Sequence, residues 1–251
     1  KHLFNLQLTI VNWQLMSKPF FFTDLLPAEG ELLLDEETSK HIVQVLRMQP
    51  GEEILLTDGK GNSADAEIIN AHKKHCEVKI TSFKYTERLK PLLTVGISLI
   101  KNASRFEWFL EKATEFGTAE IIPLLCERTE KQHYRHDRFV SICKSAMLQS
   151  LQSWLPEMHE PRKFIDVVNE ASHHQKFIAH CLPEEKHTLV SSFDPSLSSH
   201  IILIGPEGDF TPKEINAALS KRFSAVSLGP TRLRTETAGV YATAICRPPG
   251  F

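Results

Sequence analysis

Two Gly-Pro turns near the C-terminus carry the residues best suited to chemistry. The first lies in IGPEGDFTPKE (204–214) and the second in SLGPTRLRTETAG (227–239). Each turn follows a short apolar run that predicts a β-strand and precedes a helical pattern. Ligands of open α/β sheets bind at the carboxyl ends of strands, so the two turns together predict one pocket.

The first turn combines close backbone approach with a defined helix start. Gly205 and Gly208 allow the backbone to approach a ligand because they have no Cβ atom. The spacing of Thr211, Pro212 and Glu214 predicts an N-cap, a first-turn proline and a capping box. The helix then begins after the turn and leaves Glu207 on a loop, either free to act in the pocket or simply exposed to solvent.

The second turn brings positive charge to the end of its strand. Arg232 and Arg234 suit a phosphate or another anion. Thr235 is expected to cap the last helix. The alternative is a surface ion pair between these arginines and Glu236, which would contribute little to stability.

The absence of several known sequence motifs argues against some classes of site. Neither turn reads GxGxxG, GxxxxGK[ST] or GxSxG, which argues against a dinucleotide site, a P-loop and a serine hydrolase. The five cysteines are scattered without a CxxC pair, so they predict buried thiols in a reducing cytosol and no metal site. Most of the twelve histidines are expected on the surface or in loops.

Composition and charge set the cellular context. The chain has 251 residues, an ordinary apolar fraction and a net charge of −2. It has no apolar run long enough for a bilayer, so we expect no membrane association and a cytoplasmic location. The segment 72–90 is locally basic, which indicates either a phosphate-binding patch or a solvated hairpin face.

The elements that position the turns fall into two predicted domains, 1–86 and 91–251, joined by a polar linker at 84–91. The first is β-rich, with a helical pattern at 34–48 and a hairpin at 52–69. In the second, apolar strand-like runs alternate with helices, which predicts an α/β fold with a parallel sheet covered on both faces. These runs lie at 92–100, 119–125, 176–182, 200–205 and 225–229.

Three blocks resemble the signature blocks of the 16S ribosomal RNA (uracil-N3) methyltransferases, members of the SPOUT superfamily of knotted methyltransferases. They are GPEGDFTPKE (205–214), SLGPTRLRTETAG (227–239) and KATEFGTAEIIPLLCERT (112–129). HIVQVLRMQPGEEILLTDGKG (41–61) also resembles the N-terminal PUA-like RNA-binding domain of that family.

The resemblance implies a C-terminal domain with a deep trefoil knot and a small N-terminal β-barrel of the PUA-like type. Connection rules alone would have excluded a knot. It further implies S-adenosyl-L-methionine as the methyl donor, a homodimer, and methylation at N3 of one uridine of 16S ribosomal RNA in the assembled small subunit. Another SPOUT activity, on a ribose 2′-oxygen or a guanine, and a non-catalytic RNA-binding assembly factor stay open as alternatives.

Carried over by position, the resemblance also implies roles for individual residues. Arg234 and Glu236 would be catalytic, with Arg234 able to stabilise a uridine anion; the acceptor of the N3 proton is left open. The residues that would bind RNA are Arg47, Lys60, Lys112, Glu115 and Arg128. Lys112 and Glu115 could also be a simple charge pair on one helix. The cofactor would be held by Cys181, Leu182, Pro183, Ile204, Gly205, Pro206, Glu207, Gly208, Ser227, Leu228, Gly229, Leu233 and Arg234.

Two places depart from the family pattern. Asp209 stands where a glycine often follows the GPEG sequence, and Leu151, Gln152 and Ser153 replace a glycine and a charged residue of many members. The second departure weakens any role assigned to the helix that is expected to contain these residues.

Overall fold

The computed structural model of the chain describes residues 18–130, 134–183 and 185–247. The chain divides into two compact units, with the boundary between Glu87 and Arg88. That boundary falls inside the polar segment 84–91, although the last strand of the first unit extends to Tyr85.

The first unit is built around a five-stranded sheet with the order β1-β3-β4-β5-β2. Strands β1 and β3 are parallel, and the other pairs are antiparallel. One short helix, α1, continues into a π-helical turn at His41–Val45. The elements are β1 (Phe20–Phe22), β2 (Glu31–Leu33), α1 (Glu36–Lys40), β3 (Glu53–Thr57), β4 (Asn62–Asn70) and β5 (Glu77–Tyr85).

Local sequence explains these boundaries. The Asp35 side chain accepts a hydrogen bond from the Thr38 amide and caps α1, as a short acidic side chain does at an N-cap. The predicted hairpin is confirmed as β3–β4, whose turn places Gly59 and Gly61 at positive φ. Apolar side chains from the sheet and from Ile42 then form one buried core.

The second unit contains an eight-stranded sheet whose strand pairs are all parallel, with the order β11-β13-β10-β12-β6-β7-β8 and β9 beside β7. Its strands are β6 (Leu92–Ser98), β7 (Glu120–Leu125), β8 (Glu157–Met158), β9 (Arg162–Lys163), β10 (Gln175–Ala179), β11 (His187–Thr188), β12 (Ser199–Ile204) and β13 (Ser224–Ser227). Its helices are α2 (Ala103–Glu115), α3 (His136–Gln149), α4 (Phe164–Glu170), α5 (Leu189–Ser192), α6 (Pro212–Ser220) and α7 (Thr235–Ile245).

Successive residues of the central strands point to opposite faces of this sheet, and both faces are covered. On β12, Ile202 packs in one core with α2, α3 and α7, whereas Leu203 packs in another with α4 and α6. A strand buried on both faces is continuously apolar, as these runs are. The predicted parallel sheet with helices on both faces is confirmed.

The helix expected to contain Leu151, Gln152 and Ser153 is α3, and it ends before these residues. It ends at Gln149, and Leu151 adopts a left-handed conformation with φ 56°. The Gln152 side chain then donates hydrogen bonds to the carbonyls of Thr114 and Glu115 at the end of α2. Gln152 therefore satisfies backbone groups that the end of a helix leaves unpaired.

The cysteine prediction is confirmed for four thiols, and two of the histidines are buried. Cys76, Cys126, Cys143 and Cys246 are buried and Cys181 is exposed. Burial raises the pKa of the Cys126 and Cys246 thiols to about 12, so both are protonated at neutral pH. Two histidines are buried exceptions: His200 lies within β12, and His180 is the first residue after β10.

Candidate functional site

A cavity of about 890 Å³ lies at the carboxyl ends of β13, β10 and β12, three strands that are neighbours in the sheet. The loop after each strand supplies one wall: residues 180–182 and 186, residues 205–207 and 209, and residues 228–234. The predicted meeting of the two Gly-Pro turns is confirmed, and the β10 loop completes the cavity.

Hydrogen bonds at the start of α6 stabilise the first turn. The predicted capping box is present: the Thr211 hydroxyl accepts from the Glu214 amide, and the Glu214 carboxylate accepts from the Thr211 amide at 2.8 Å. The other carboxylate oxygen accepts from the Glu127 amide at 2.9 Å. Because Glu214 is buried, these bonds fix the turn to the loop after β7.

Asp209 connects the first turn to the loop after β10. It adopts a left-handed conformation with φ 64°, which the glycine common at this position would adopt without strain. Its carboxylate accepts from the Cys181 amide at 2.8 Å and from the Phe210 amide at 2.8 Å. The family departure thus adds a bond between two walls of the cavity.

Protein neighbours lie close to both glycines of the first turn, a feature that the sequence did not reveal. A Cβ atom on Gly205 would lie 3.1 Å from the buried ring of Phe210. One on Gly208 would lie 3.3 Å from the side chain of Arg128, whose guanidinium donates a 2.6 Å hydrogen bond to the Gly208 carbonyl. Arg128 therefore supports the turn from outside the cavity.

The second turn has few supports of this kind. Gly229 has φ 128° and exchanges two 3.2 Å hydrogen bonds with the Ser227 hydroxyl. Arg232 and Arg234 are exposed, and neither forms an ion pair within the described parts of the chain. The alternative of a surface ion pair with Glu236 is not found among the described residues, where the Oε1 atom of Glu236 instead lies 3.7 Å from Nε of Arg105.

The predicted role of Thr235 as a cap is also wrong. The N-cap of α7 is Arg234, which makes no side-chain capping bond, and Thr235 is the first helical residue. The Thr235 hydroxyl donates to the Gly205 carbonyl at 3.0 Å. This bond joins the end of the second turn to the beginning of the first.

The structure brings most of the predicted cofactor-binding residues to one cavity. Pro183 and Gly208 are the exceptions and lie next to lining residues rather than among them. Eleven others line it: Cys181, Leu182, Ile204, Gly205, Pro206, Glu207, Ser227, Leu228, Gly229, Leu233 and Arg234.

The remaining predicted residues lie elsewhere. Lys112 forms ion pairs with Glu111 at 2.7 Å and Glu115 at 3.0 Å on α2, and neither Lys112 nor Glu115 lines the cavity. Arg47 and Lys60 are exposed in the first unit, where Lys60 occupies the β3–β4 turn. Lys112 and Glu115 therefore form the charge pair on one helix that the sequence left open, and their contact with RNA stays a prediction.

Four lining or adjacent residues escaped the sequence analysis. His180 and Lys186 line the β10 wall, where the Lys186 ammonium donates to the Leu182 carbonyl. Thr231 lines the second turn. Arg105 follows β6 and lies in the first turn of α2, at the carboxyl edge of the sheet. That position could have identified it from the sequence.

Fold and cavity together define an α/β protein that binds its ligand with three loops at the carboxyl ends of adjacent parallel strands. Two family models match the chain. The model of an RNA methyltransferase domain covers residues 87–247, and the model of an RNA methyltransferase PUA domain covers residues 34–81. The chain belongs to this RNA methyltransferase family.

Individual relatives agree over nearly the whole chain. The ribosomal RNA small subunit methyltransferase E of Bacillus subtilis is 27% identical over 218 residues, which cover 82% of this chain and 85% of that protein. The crystal structure of a probable rRNA-methyltransferase from Porphyromonas gingivalis is 32% identical with a TM-score of 0.83, and covers 90% of this chain and 95% of its own.

The solved relatives include proteins with a bound ligand. The ribosomal RNA small subunit methyltransferase E of Neisseria gonorrhoeae, bound to S-adenosyl methionine, is 29% identical with a TM-score of 0.79. The match covers 90% of this chain and 95% of that one. In the part of this chain that the structure describes, no helix has both the length and the apolar character needed to cross a membrane.

Proposed function

We propose that this protein transfers a methyl group from S-adenosyl-L-methionine to N3 of a uridine in 16S ribosomal RNA. The observation that carries the proposal is the convergence of three loops, after β10, β12 and β13, on one cavity. Family membership supports the reaction class, and the relatives named for the ribosomal small subunit support the RNA.

The cavity suits the chemistry of this methyl donor. Ile204, Leu228 and Leu233 give apolar walls for an adenine, and the loop backbones give hydrogen-bonding groups. The donor also carries a sulfonium, an ammonium and a carboxylate. Glu207 supplies a negative charge on one wall, and Arg232 and Arg234 supply positive charge on another.

Arg234 is the proposed catalytic residue. Bound S-adenosyl-L-methionine supplies an electrophilic methyl group. The uridine must lose its N3 proton, and a cation that faces the base stabilises the negative charge that develops there. Arg234 is exposed at the cavity and makes no ion pair with a described residue, so its guanidinium is available for that charge.

The proposal extends to the assembly. We place the first unit as an RNA-binding domain, because it matches a PUA model and carries Arg47 and Lys60 on its surface. We propose a homodimer, a trefoil knot in the second unit, and cytoplasmic action on the assembled small subunit, as the resemblance implies. The domains are 1–86 and 91–251.

Two measurements on the purified protein test the cofactor. Isothermal calorimetry is expected to show binding of S-adenosyl-L-methionine and of S-adenosylhomocysteine. Alkylation of Cys181, which lines the cavity, is expected to slow when either ligand is present. The four buried thiols and a Cys181→Ser variant provide internal controls, and absence of any binding would remove the basis of the proposal.

A genetic measurement tests the product. Ribosomal RNA from a strain without this gene is expected to lack one N3-methyluridine, and the purified protein is expected to restore it on small subunits from that strain. Loss of a 2′-O-methylated ribose or a methylguanine would instead assign a different methyltransferase activity. An unchanged modification pattern would contradict the enzymatic function.

A further inference from the structure

A second cavity, of about 560 Å³, adjoins the first. Lys101, Asn102, Ala103 and Arg105 form one side of it and Glu207 forms the other. These residues follow β6 and β12, which are neighbours in the sheet. Glu207 lines both cavities and therefore stands on the wall between them.

The second cavity has a positive side. Lys101 and Arg105 flank the start of α2, a helix of 13 residues whose N-terminus carries partial positive charge. Lys101 also contacts Glu130 at 3.4 Å, but both side chains are largely exposed, so this pair is weak and exchangeable. An anionic group of a ligand is the natural partner for this side.

Arg105 is oriented by a buried carboxylate. Glu236 is only 5% exposed, and its Oε2 atom has no hydrogen-bond partner among the described residues. Its Oε1 atom lies 3.7 Å from Nε of Arg105. A buried carboxylate is costly without a counter-charge, so Glu236 attracts the Arg105 guanidinium. The contact is made at Nε, which leaves the two terminal nitrogens of Arg105 available.

We propose that this second cavity receives the target nucleotide, an extruded uridine of the RNA. The phosphate of that nucleotide faces Lys101, Arg105 and the start of α2, and its base faces Glu207 across from the methyl donor. Arg105 contacts the substrate, and Glu236 acts as a positioning residue through Arg105. This assignment rests on the proposed function, which needs a place for an unpaired base beside the donor.

The shared wall also supplies a proton acceptor. The Glu207 carboxylate takes the N3 proton of the uridine and becomes a neutral carboxylic acid, which later releases the proton to water. The N3 electron pair forms the new bond to the methyl carbon. The carbon–sulfur bond breaks as this happens, and its electron pair remains on a neutral sulfur.

Variants of Arg105 test the cavity. In Arg105→Ala, kcat/KM for small subunits that lack the modification is expected to fall about 100-fold, while the Kd for S-adenosyl-L-methionine changes by no more than about twofold. Arg105→Lys is expected to recover part of the loss because it keeps the charge. Lys213→Ala, which removes an exposed charge near the start of another helix, is the matched control and should match the wild type.

Binding measurements give a readout that does not depend on turnover. With S-adenosylhomocysteine present, Arg105→Ala and Lys101→Ala are each expected to weaken the Kd for small subunits, and Lys213→Ala is not. Glu236→Gln, which keeps the side-chain volume, should raise KM for the subunits more than it lowers kcat. Glu207→Gln should do the reverse and lower kcat, because the amide cannot accept the proton.

The outcomes separate this inference from the proposed function. If the wild type binds no S-adenosyl-L-methionine and methylates nothing, the proposed function fails. If the wild type methylates small subunits and both Arg105→Ala and Lys101→Ala keep its kcat/KM, only the nucleotide cavity is refuted. Equal losses of cofactor and subunit affinity in Arg105→Ala would refute it as well, because the residue would then serve the first cavity.

Discussion

The two Gly-Pro turns look alike in the sequence and differ in how they are held. In the first, the amides of Asp209, Phe210 and Thr211 all have partners: the Pro206 carbonyl, the Asp209 carboxylate and the Glu214 carboxylate. In the second, the Ser227 hydroxyl bonds the amide and the carbonyl of Gly229, and the residues from Gly229 to Arg232 are exposed.

This difference separates two tasks within one cavity. The first turn holds its shape through protein contacts alone, so it can position Glu207 before any ligand arrives. In the second turn, Arg232 and Arg234 make no ion pair with a described residue, so we expect a ligand that pairs with either of them to order this turn. A rigid wall opposite an adaptable wall allows a ligand to enter and then be enclosed.

The largest expected effect is on the function of the second turn. Replacing Arg234 with Ala should lower kcat by about 100- to 1000-fold, because a cation that stabilises the transition state is lost. Since Arg234 makes no ion pair with a described residue, the melting temperature should stay near that of the wild type. Steady-state kinetics measure the change in kcat, and thermal unfolding measures the melting temperature. A strong loss of stability would show that Arg234 supports the structure of the second turn.

The next effect is on the stability of the first turn. Glu214→Ala should lower the free energy of unfolding by about 2–3 kcal/mol, because the amides of Glu127 and Thr211 lose their acceptor. The neighbouring Lys213→Ala is the control and should change it by less than about 0.5 kcal/mol. Urea denaturation measures both, and equal stabilities for the two variants would contradict the rigid first turn.

A smaller effect is expected at Asp209. Asp209→Asn keeps a residue that tolerates the left-handed conformation but presents an amide nitrogen to one of two backbone donors. It should cost about 1 kcal/mol of stability and weaken the binding of S-adenosyl-L-methionine. Asp209→Gly removes both bonds while relieving the backbone, so it should weaken cofactor binding with less loss of stability. Calorimetry and urea denaturation compare the variants, and unchanged affinity in both would show that the bond to Cys181 is dispensable.

The smallest effect needs no substitution. In the free protein, the amides of 228–234 should exchange with deuterium faster than those of 209–211, whose partners are described above. Addition of S-adenosyl-L-methionine should slow exchange in the second turn and leave the first nearly unchanged. Hydrogen exchange followed by mass spectrometry resolves the two segments. Equal protection of both in the free protein would contradict the proposed difference in rigidity between the two turns.

The sequence predicted the parts of the structure that depend on local patterns. Apolar runs located the buried strands, and the spacing of Thr211, Pro212 and Glu214 located a helix start that the structure confirms. The same reasoning failed at Thr235, because its hydroxyl bonds the distant Gly205 carbonyl instead of its own helix. No local pattern contains that partner.

The second cavity could not be predicted from the sequence for the same reason. Arg105 and Glu236 are 131 positions apart in the sequence, and only the packing of α2 against α7 brings them together. Buried charges of this kind are specified by tertiary structure. The resemblance to a family supplied the catalytic interpretation of Arg234, which residue type and position had indicated only as an anion contact.

The Thr235–Gly205 hydrogen bond sets a limit on how far the cavity can open. The second turn is tethered at Ser227 by its strand and at Thr235 by this bond, and beyond it a Cβ atom on Gly239 would lie 2.7 Å from the ring of Phe109. Only the seven residues 228–234 lie between these anchors. We therefore expect exchange of spent donor for fresh donor to involve only these seven residues, while α7, with the buried Glu236 beside Arg105, keeps its position.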